Sequence, residues 1–401
     1  MDAEDNITIG QRLRRIRKAR GKSLRVVADL TGGVASFGHL SDIENGKAPL
    51  DSLKLITALA KVLQIAPSEL TGIPVLAPGN GHTDSATEAV RRALVAVDVG
   101  RPGGLVVPAG VLRDRVTQIL RKRQACRFAE VATDLPGLIR DLHTTLDTGR
   151  DHGELLELAV ALHVHGTQLW LRHAGAPGDL RRHAAFLARH TAAEHGEITT
   201  LGAAAFGTVH ALVADGMFDV AQDELDAVAL PSTMPETAGL VGALTMTNAS
   251  VAAADNRPGD VAAPMEAAAE LAQRFGEIGE DDPLGFVFGP TDVGLWSMAF
   301  ALEAGEPDRA VSIAEGVHPQ RHPHATRRTT YWVDFGRAAA RLRDRRDDAV
   351  RAFLTAEDLF PVRVYRNPFA REAIAGLVER SPQGRVGQDL RRLAYRAGLH
   401  V

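Results

Sequence analysis

One cysteine, Cys126, stands in a chain of 401 residues, which leaves no disulfide framework and fits a reducing cytosol. No run approaches the 18 or so uncharged apolar residues that a membrane helix needs, and the charged N-terminus lacks the apolar core of a signal peptide. Both absences lead us to expect a cytoplasmic protein with no membrane partner. Enzyme signatures are missing too. There is no His-Glu-x-x-His, no Gly-x-Ser-x-Gly and no glycine-rich dinucleotide fingerprint after a strand. Gly21-Lys22-Ser23 ends like a phosphate-binding loop, but Ile16 occupies the position where that loop needs glycine. The sequons at Asn6 and Asn248 would be idle in a cytosolic protein. We expect no enzyme and no cofactor.

What the chain does carry is concentrated in residues 9 to 72. Ile9, Leu13 and Ile16 share one face of a helix, and Ser23 caps a second over Leu24 to Leu30. Ser36 caps a third that holds Leu40 and Ile43 on one side, and Gly46 can stop it in the left-handed conformation. A fourth, capped by Asp51 or Ser52, places Leu53, Ile56, Ala60 and Leu63 on a stripe; Pro67-Ser68-Glu69-Leu70 starts a last turn. Short helices joined by a tight second-to-third turn make a helix-turn-helix unit. Charge agrees. Residues 9 to 25 hold eight Lys or Arg and no acid, and residues 1 to 72 net +3, leaving −7 for the remainder of a chain whose total is −4.

Leu40-Ser41-Asp42-Ile43-Glu44-Asn45-Gly46 resembles the third-helix pattern of the XRE, or lambda-repressor-like, regulators at every fixed place. The resemblance covers about the first seventy residues; Gly33 to Leu40 is one residue longer than usual, which implies an enlarged turn. It implies double-stranded operator DNA as the partner, with the third helix in the major groove. Carried over by position, Ser36, Phe37, Gly38, Ser41 and Asp42 face the bases, with His39 beside them. Asp42 is suited to accept from a cytosine amino group and Phe37 to pack on a thymine methyl. Arg12, Arg14, Ser23, Arg25, Asn45 and Lys47 are the phosphate contacts, which set register without reading sequence. Because this helix has no Arg, Asn or Gln before Asn45, DNA shape should supply part of the specificity.

Beyond the Pro- and Gly-bearing segment from Gly72 to His82, amphipathic helices follow one another with no alternating strand pattern. Examples are Val111 to Lys122, Glu154 to His173, Thr199 to Ala214, Ala238 to Ala254 and Thr291 to Ala304. A weak repeat appears. Gly216 precedes Ala221, Leu225 and Val228; Gly305 precedes Ala310, Ala314 and Val317; Asp344 precedes Ala349, Phe353, Ala356 and Pro361. These offsets resemble the small-residue places of tetratricopeptide (TPR) repeats, whose paired helices stack into a curved surface. The whole arrangement is similar to helix-turn-helix regulators with a TPR-like C-terminal domain, including quorum-peptide sensors. The heavy use of Arg, Ala and Gly, with six lysines, is the bias of a GC-rich genome of actinobacterial type.

The expected fold is therefore all-α. A lambda-repressor-like helix-turn-helix domain (1–73) and a linker (74–85) precede a TPR-like α-superhelical domain (86–401) that senses and dimerises. Aromatics, only 5% of the chain, gather near Arg and Asn in the second half. Asn248, Phe288, Thr291, Trp296, Arg328, Tyr331 and Asn367 are thus candidates to line a pocket for a small-molecule or peptide effector. His163 and His165, two apart on a helix, point to different faces; His318, His322 and His324 lack a nearby carboxylate to complete a metal shell. The expected function is that of a homodimeric transcriptional regulator. Its rivals are a DNA-tethered TPR-like scaffold that binds a protein and an enzyme with a DNA-binding head.

Overall fold

The computed structural model describes residues 8–65, 67–71, 81–228, 230, 234–279, 282, 285–380 and 385–399. Of the described residues, 76% are helical. Among the described residues there is no strand, only one antiparallel bridge between Ile278 and Phe288. No described helix is long and apolar enough to cross a membrane.

Five helices build the head: α1 (Ile9–Ala19), α2 (Leu24–Leu30), α3 (Phe37–Glu44), α4 (Leu53–Leu63) and α5 (Pro67–Thr71). Each of the first four starts where a hydroxyl takes up a free amide, from Thr8, Ser23, Ser36 and Ser52 respectively. Gln11 returns the favour to Thr8 and completes a capping box. Helices this short are marginal alone. They persist because Leu13, Val27, Leu40, Ile43, Ile56, Leu59 and Leu63 close into one core. Gly46 ends α3 at φ +72°, as its position in the sequence indicates. Gly10 serves a purpose that periodicity does not reveal: a Cβ there would lie 2.1 Å from the carbonyl oxygen of Ile43, so only glycine lets α1 and α3 meet.

The body follows as helical repeats. Its helices are α6 (Gly81–Asp98), α7 (Ala109–Gln124), α8 (Phe128–Leu146), α9 (His152–Ala161), α10 (Leu169–His173), α11 (Gly178–His195), α12 (Ile198–Ala214) and α13 (Phe218–Asp226). Then come α14 (Ala238–Ala254), α15 (Ala262–Phe275), α16 (Pro290–Glu303), α17 (Pro307–Gly316), α18 (Ala325–Ala340), α19 (Arg346–Leu359), α20 (Pro361–Tyr365), α21 (Pro368–Glu379) and α22 (Arg385–Arg396). Neighbours pack pairwise, α11 on α12, α16 on α17 and α18 on α19. The small residues of the weak repeat lie on α13, which packs on α12, and on α17 and α19. Ala221, Ala310, Ala349 and Ala356 are fully buried, and Gly216 and Gly305 turn the chain between helices at positive φ. α6 begins at Gly81, inside the segment expected as linker (74–85); residues 74–80 of that segment lie outside the described residues.

The single helix expected from Glu154 to His173 is interrupted by a π-helical stretch, Leu162–Gln168. Widening the helix there presents His163 and His165 to different partners. His163 Nε2 lies 2.8 Å from His143 Nε2, and the His165 ring meets Phe286 edge-on at 4.5 Å. Such a bulge follows from tertiary packing and leaves no local sequence pattern. His322 corrects another expectation, because a carboxylate distant in sequence does approach it: Nε2 lies 3.0 Å from Asp292 Oδ2. Its Nδ1 accepts the amide of His324 at 3.1 Å, so Nε2 carries the proton and donates it to Asp292. Both ring nitrogens are thereby occupied, and no group of three metal-ligating side chains forms among the described residues.

Burial holds several of these histidines neutral. It pulls His143 from 6.5 to about 4, His210 to about 4 and His324 to about 2, and holds His163 and His173 well below 6.5. The unfolded chain therefore binds more protons than the native one below pH 6.5. The stability these five contribute is complete above that pH and is lost as pH falls toward 4. Glu372, pushed up to about 7 by burial, and Glu303, also raised by burial, act the opposite way, as two groups against five. We expect the urea midpoint to fall between pH 7.5 and pH 5.5; a midpoint that stays level or rises would contradict this arrangement.

Candidate nucleic-acid interface

α3 turns Leu40, Ile43 and Glu44 into the head and leaves its first turn in solvent. Ser36, Phe37, Gly38, His39 and Asp42 are exposed and Ser41 is half-buried. Phe37 is a large apolar ring left 51% accessible, as Leu30 and Val26 of α2 are also exposed, and the Arg25 guanidinium lies 5.8 Å from its centre. Of the phosphate candidates, Arg14, Ser23, Arg25 and Lys47 are exposed. The hydroxyls of Ser23 and Ser36 accept helix amides, from Val26 and His39 at 3.2 Å each, and keep their protons to donate outward. Asn45 is committed to its own helix: it is the C-cap of α3, and its Nδ2 donates to the Ser41 carbonyl at 2.8 Å. Arg12 is half-buried and lies toward the body, where its charge acts on Arg371 and Glu372.

Sequence reading missed the ion pair that fixes α3. Arg17 Nε and Nη2 meet the two Glu44 carboxylate oxygens at 2.6 and 2.7 Å, and Arg17 Nη1 donates to the Lys22 carbonyl at 2.8 Å. Buried and bidentate, this fork joins α1, the α1–α2 turn and α3 in one geometry. The pattern Leu-Ser-x-Ile-Glu-x-Gly marks Glu44 but says nothing of its partner 27 residues away.

The head also docks on the body. Glu303 Oε2 accepts from the Leu53 amide at 2.7 Å and from Ser52 Oγ at 3.1 Å, capping α4 from outside the domain. Asp51 is buried between Arg337, which donates to its carbonyl at 2.9 Å, and Arg341, which pairs with its carboxylate. Arg337 also lies 4.7 Å from the centre of the Phe369 ring, which packs against the head core. Glu372 Oε2 accepts from the Ile9 amide at 3.3 Å. None of these contacts touches the exposed first turn of α3.

A family model described as Helix-turn-helix domain matches residues 8–71. Residues 8–71 are a helix-turn-helix DNA-binding domain. No curated protein and no solved structure matches the chain. In this domain α3 leaves Phe37 and Asp42 exposed with Ser41 half-buried beside them, and Arg14, Arg25 and Lys47 are exposed on the same head.

The candidates for an effector pocket are dispersed. Phe288 is fully buried among Met246, Ala268 and Ala272. Tyr331 belongs to a different cluster, its hydroxyl donating to the Ala314 carbonyl at 3.1 Å. Thr291 donates to Glu277 at 2.6 Å, and Asn367 caps α21 by accepting from Phe369 and Ala370. Arg328 donates to the His322 carbonyl at 3.1 Å. Asn248 is half-buried on α14. Trp296 is half-buried and meets His210 of α12 at 6.2 Å. Phe288, Tyr331 and Asn367 are therefore sealed in separate places by packing or by local hydrogen bonds, and Trp296 packs on one side against the Phe288 cluster and on the other against His210.

Asp42 and Arg14 separate readout from attraction. Asp42→Ala should change the ranking of operator variants, with about 1 to 3 kcal/mol lost at one base position. Arg14→Ala should weaken all sequences alike and make the salt dependence shallower by about one counterion. Competition binding against a randomised operator library at two salt concentrations checks both; a uniform loss from both variants would remove Asp42 as a reader.

Proposed function

We propose that this chain is a transcriptional regulator of the XRE type, and that its helical repeats are a TPR-like body that senses a small molecule or peptide and brings two heads together. The observation that carries this reading is the docked head. Its DNA-facing helix end is exposed, while Asp51, Ser52, Leu53 and Ile9 are held by α16, α18 and α21. A change in the tilt of those body helices would move the head as a unit. One small head makes limited specific contact, so a homodimer on a two-half-site operator supplies the affinity. A cytoplasmic location fits a DNA partner. The role assigned to the body is recognition and not catalysis, on the absence of any catalytic motif in its sequence; the composition supports an actinobacterial type of regulator.

Mapping the genomic DNA bound with and without culture extract, together with sedimentation of the protein on and off that DNA, tests the reading as a whole. Unchanged occupancy with extract, or a monomer on DNA, would overturn sensing or dimerisation respectively. A sharper test removes the joint. Arg341→Ala leaves the buried Asp51 carboxylate with Arg337 alone, at 4.0 Å, a weakening below the about 3 to 5 kcal/mol that a fully unpaired buried charge costs. We expect faster hydrogen exchange at the Leu53 amide, unchanged exchange at Ile56 in the head core, and weaker operator binding by the dimer.

A further inference from the structure

The body closes on itself. Arg366 Nη1 of the α20–α21 turn donates to the Ala174 carbonyl beyond α10 at 2.8 Å, and Phe128 stacks on Phe360 with centroids 4.2 Å apart. Helices from the early and late parts of the body thus meet. At this closure His173 of α10 lies between Phe128 and Phe360, with ring centroids 5.4 and 5.9 Å away, and His210 of α12 meets Trp296 of α16 at 6.2 Å. Arg172, Arg327 and Arg363 are close enough to repel one another electrostatically, and His173 and His210 feel the same guanidinium groups.

Charge at this closure does not balance. Asp292 pairs with Arg327 at 2.6 Å and Asp334 with Arg337 at 2.8 Å. Arg172 and Arg363 make no hydrogen bond or ion pair among the described residues, and Arg363 Nε and His173 Nδ1 are buried with no partner. Arg172 keeps an exposed side chain although surrounding protein pulls its guanidinium down to about 9. It is an accessible cation in a protein-walled space. Unpaired guanidinium groups in such a space are costly unless an anion satisfies them. Their planar forks suit phosphate or carboxylate oxygens.

We propose that the interior of the body is a binding site for a small organic oxyanion, its phosphate or carboxylate held by Arg172 and Arg363 and its planar part resting on Trp296. The site deepens the sensing reading above and rests on it only for its regulatory meaning. His210 Nδ1–H donates to the Phe206 carbonyl at 2.8 Å, which leaves Nε2 as a further polar atom beside the ligand. Trp296 packs against His210 edge-on, a wall for an unsaturated ring.

Thermal melting of the full chain at constant ionic strength tests the site, with phenyl phosphate and benzoate as probes of the two oxyanions and sodium chloride as reference. We expect a saturable rise in Tm with at least one probe. Arg172→Gln and Arg363→Gln should each weaken that probe about tenfold or more, while Arg150→Gln, in an exposed turn, should leave it unchanged. Without probe, both Gln variants should melt at or above the wild-type temperature, since each removes an unpaired cation. A response no greater than that to chloride, unchanged probe affinity in both variants, or a lower probe-free Tm would overturn the site. DNA binding followed in the same samples keeps the two readings apart. Saturable probe binding with unaltered DNA affinity would leave the site standing and remove its role in sensing, whereas DNA binding without any probe response would remove the site alone.

Discussion

Asp51 is the residue through which head and body share one structure. It precedes α4, so its backbone carbonyl and its carboxylate point away from the head core, and α18 meets both with two arginines a turn apart. A carboxylate that deep would be untenable without them. Arg337 in turn needs Asp334, its neighbour one turn back, to hold its guanidinium toward the head, and Phe369 to cover that guanidinium's face. Remove the Asp51 carboxylate and Arg341 loses its ion-pair partner; remove the arginines and the head loses its fixed bearing. Glu303 and Glu372 extend the joint by accepting backbone amides at the starts of α4 and α1, where helix dipoles favour a carboxylate. In this way the N-terminal ends of two head helices point at the body, and the first turn of α3 remains free.

The head was legible because its determinants are local. Hydroxyl caps at Ser23, Ser36 and Ser52, the stop at Gly46 and the apolar stripes of α1, α3 and α4 all lie within a few residues of what they fix. The all-helical body was legible for the same reason; Ala238–Ala254 emerges with the bounds its pattern indicates. What failed was long-range. Arg17 with Glu44, Asp51 with Arg341 and Asp292 with His322 are separated by 27, 290 and 30 residues, and nothing in the spacing of such residues tells which will meet. The π-helical stretch around His163 and the crossing at Gly10 have the same origin. Aromatic clustering misled for a related reason. Phe288 and Tyr331 are near Arg and Asn in sequence, but their rings fill gaps between helices, where burial is worth about 1.5 to 3 kcal/mol each.

Arginine usage organises both ends of the molecule under different rules. On the head, Arg14 and Arg25 are solvated and act at a distance, so salt weakens them. Inside the body, Arg172 and Arg363 sit where screening is poor and each nearby cation matters. A chain with net charge −4 can therefore present positive potential to DNA and concentrate a second, unrelated positive potential in its interior.

The interior and the joint share one carboxylate. Asp334 attracts Arg172 and Arg363 from one side and binds Arg337 at 2.8 Å on the other, and Arg337 holds the Asp51 carbonyl of the head. In the ligand-free protein Asp334 is thus divided between unpaired interior cations and the arginine that carries the head. An oxyanion between Arg172 and Arg363 would satisfy those cations and leave Asp334 to Arg337 alone, tightening the pair that supports Asp51. The path from ligand to head then runs through the electrostatic pull of Arg172 and Arg363 on Asp334, the Asp334–Arg337 ion pair and the Arg337 hydrogen bond to the Asp51 carbonyl, and needs no large rearrangement of helices. Couplings between sites are typically about 1 to 3 kcal/mol, a range that redistribution of one buried ion pair can supply. The direction also follows: an anion in the body should stiffen the docked head, so it would favour whichever operator spacing the docked arrangement fits.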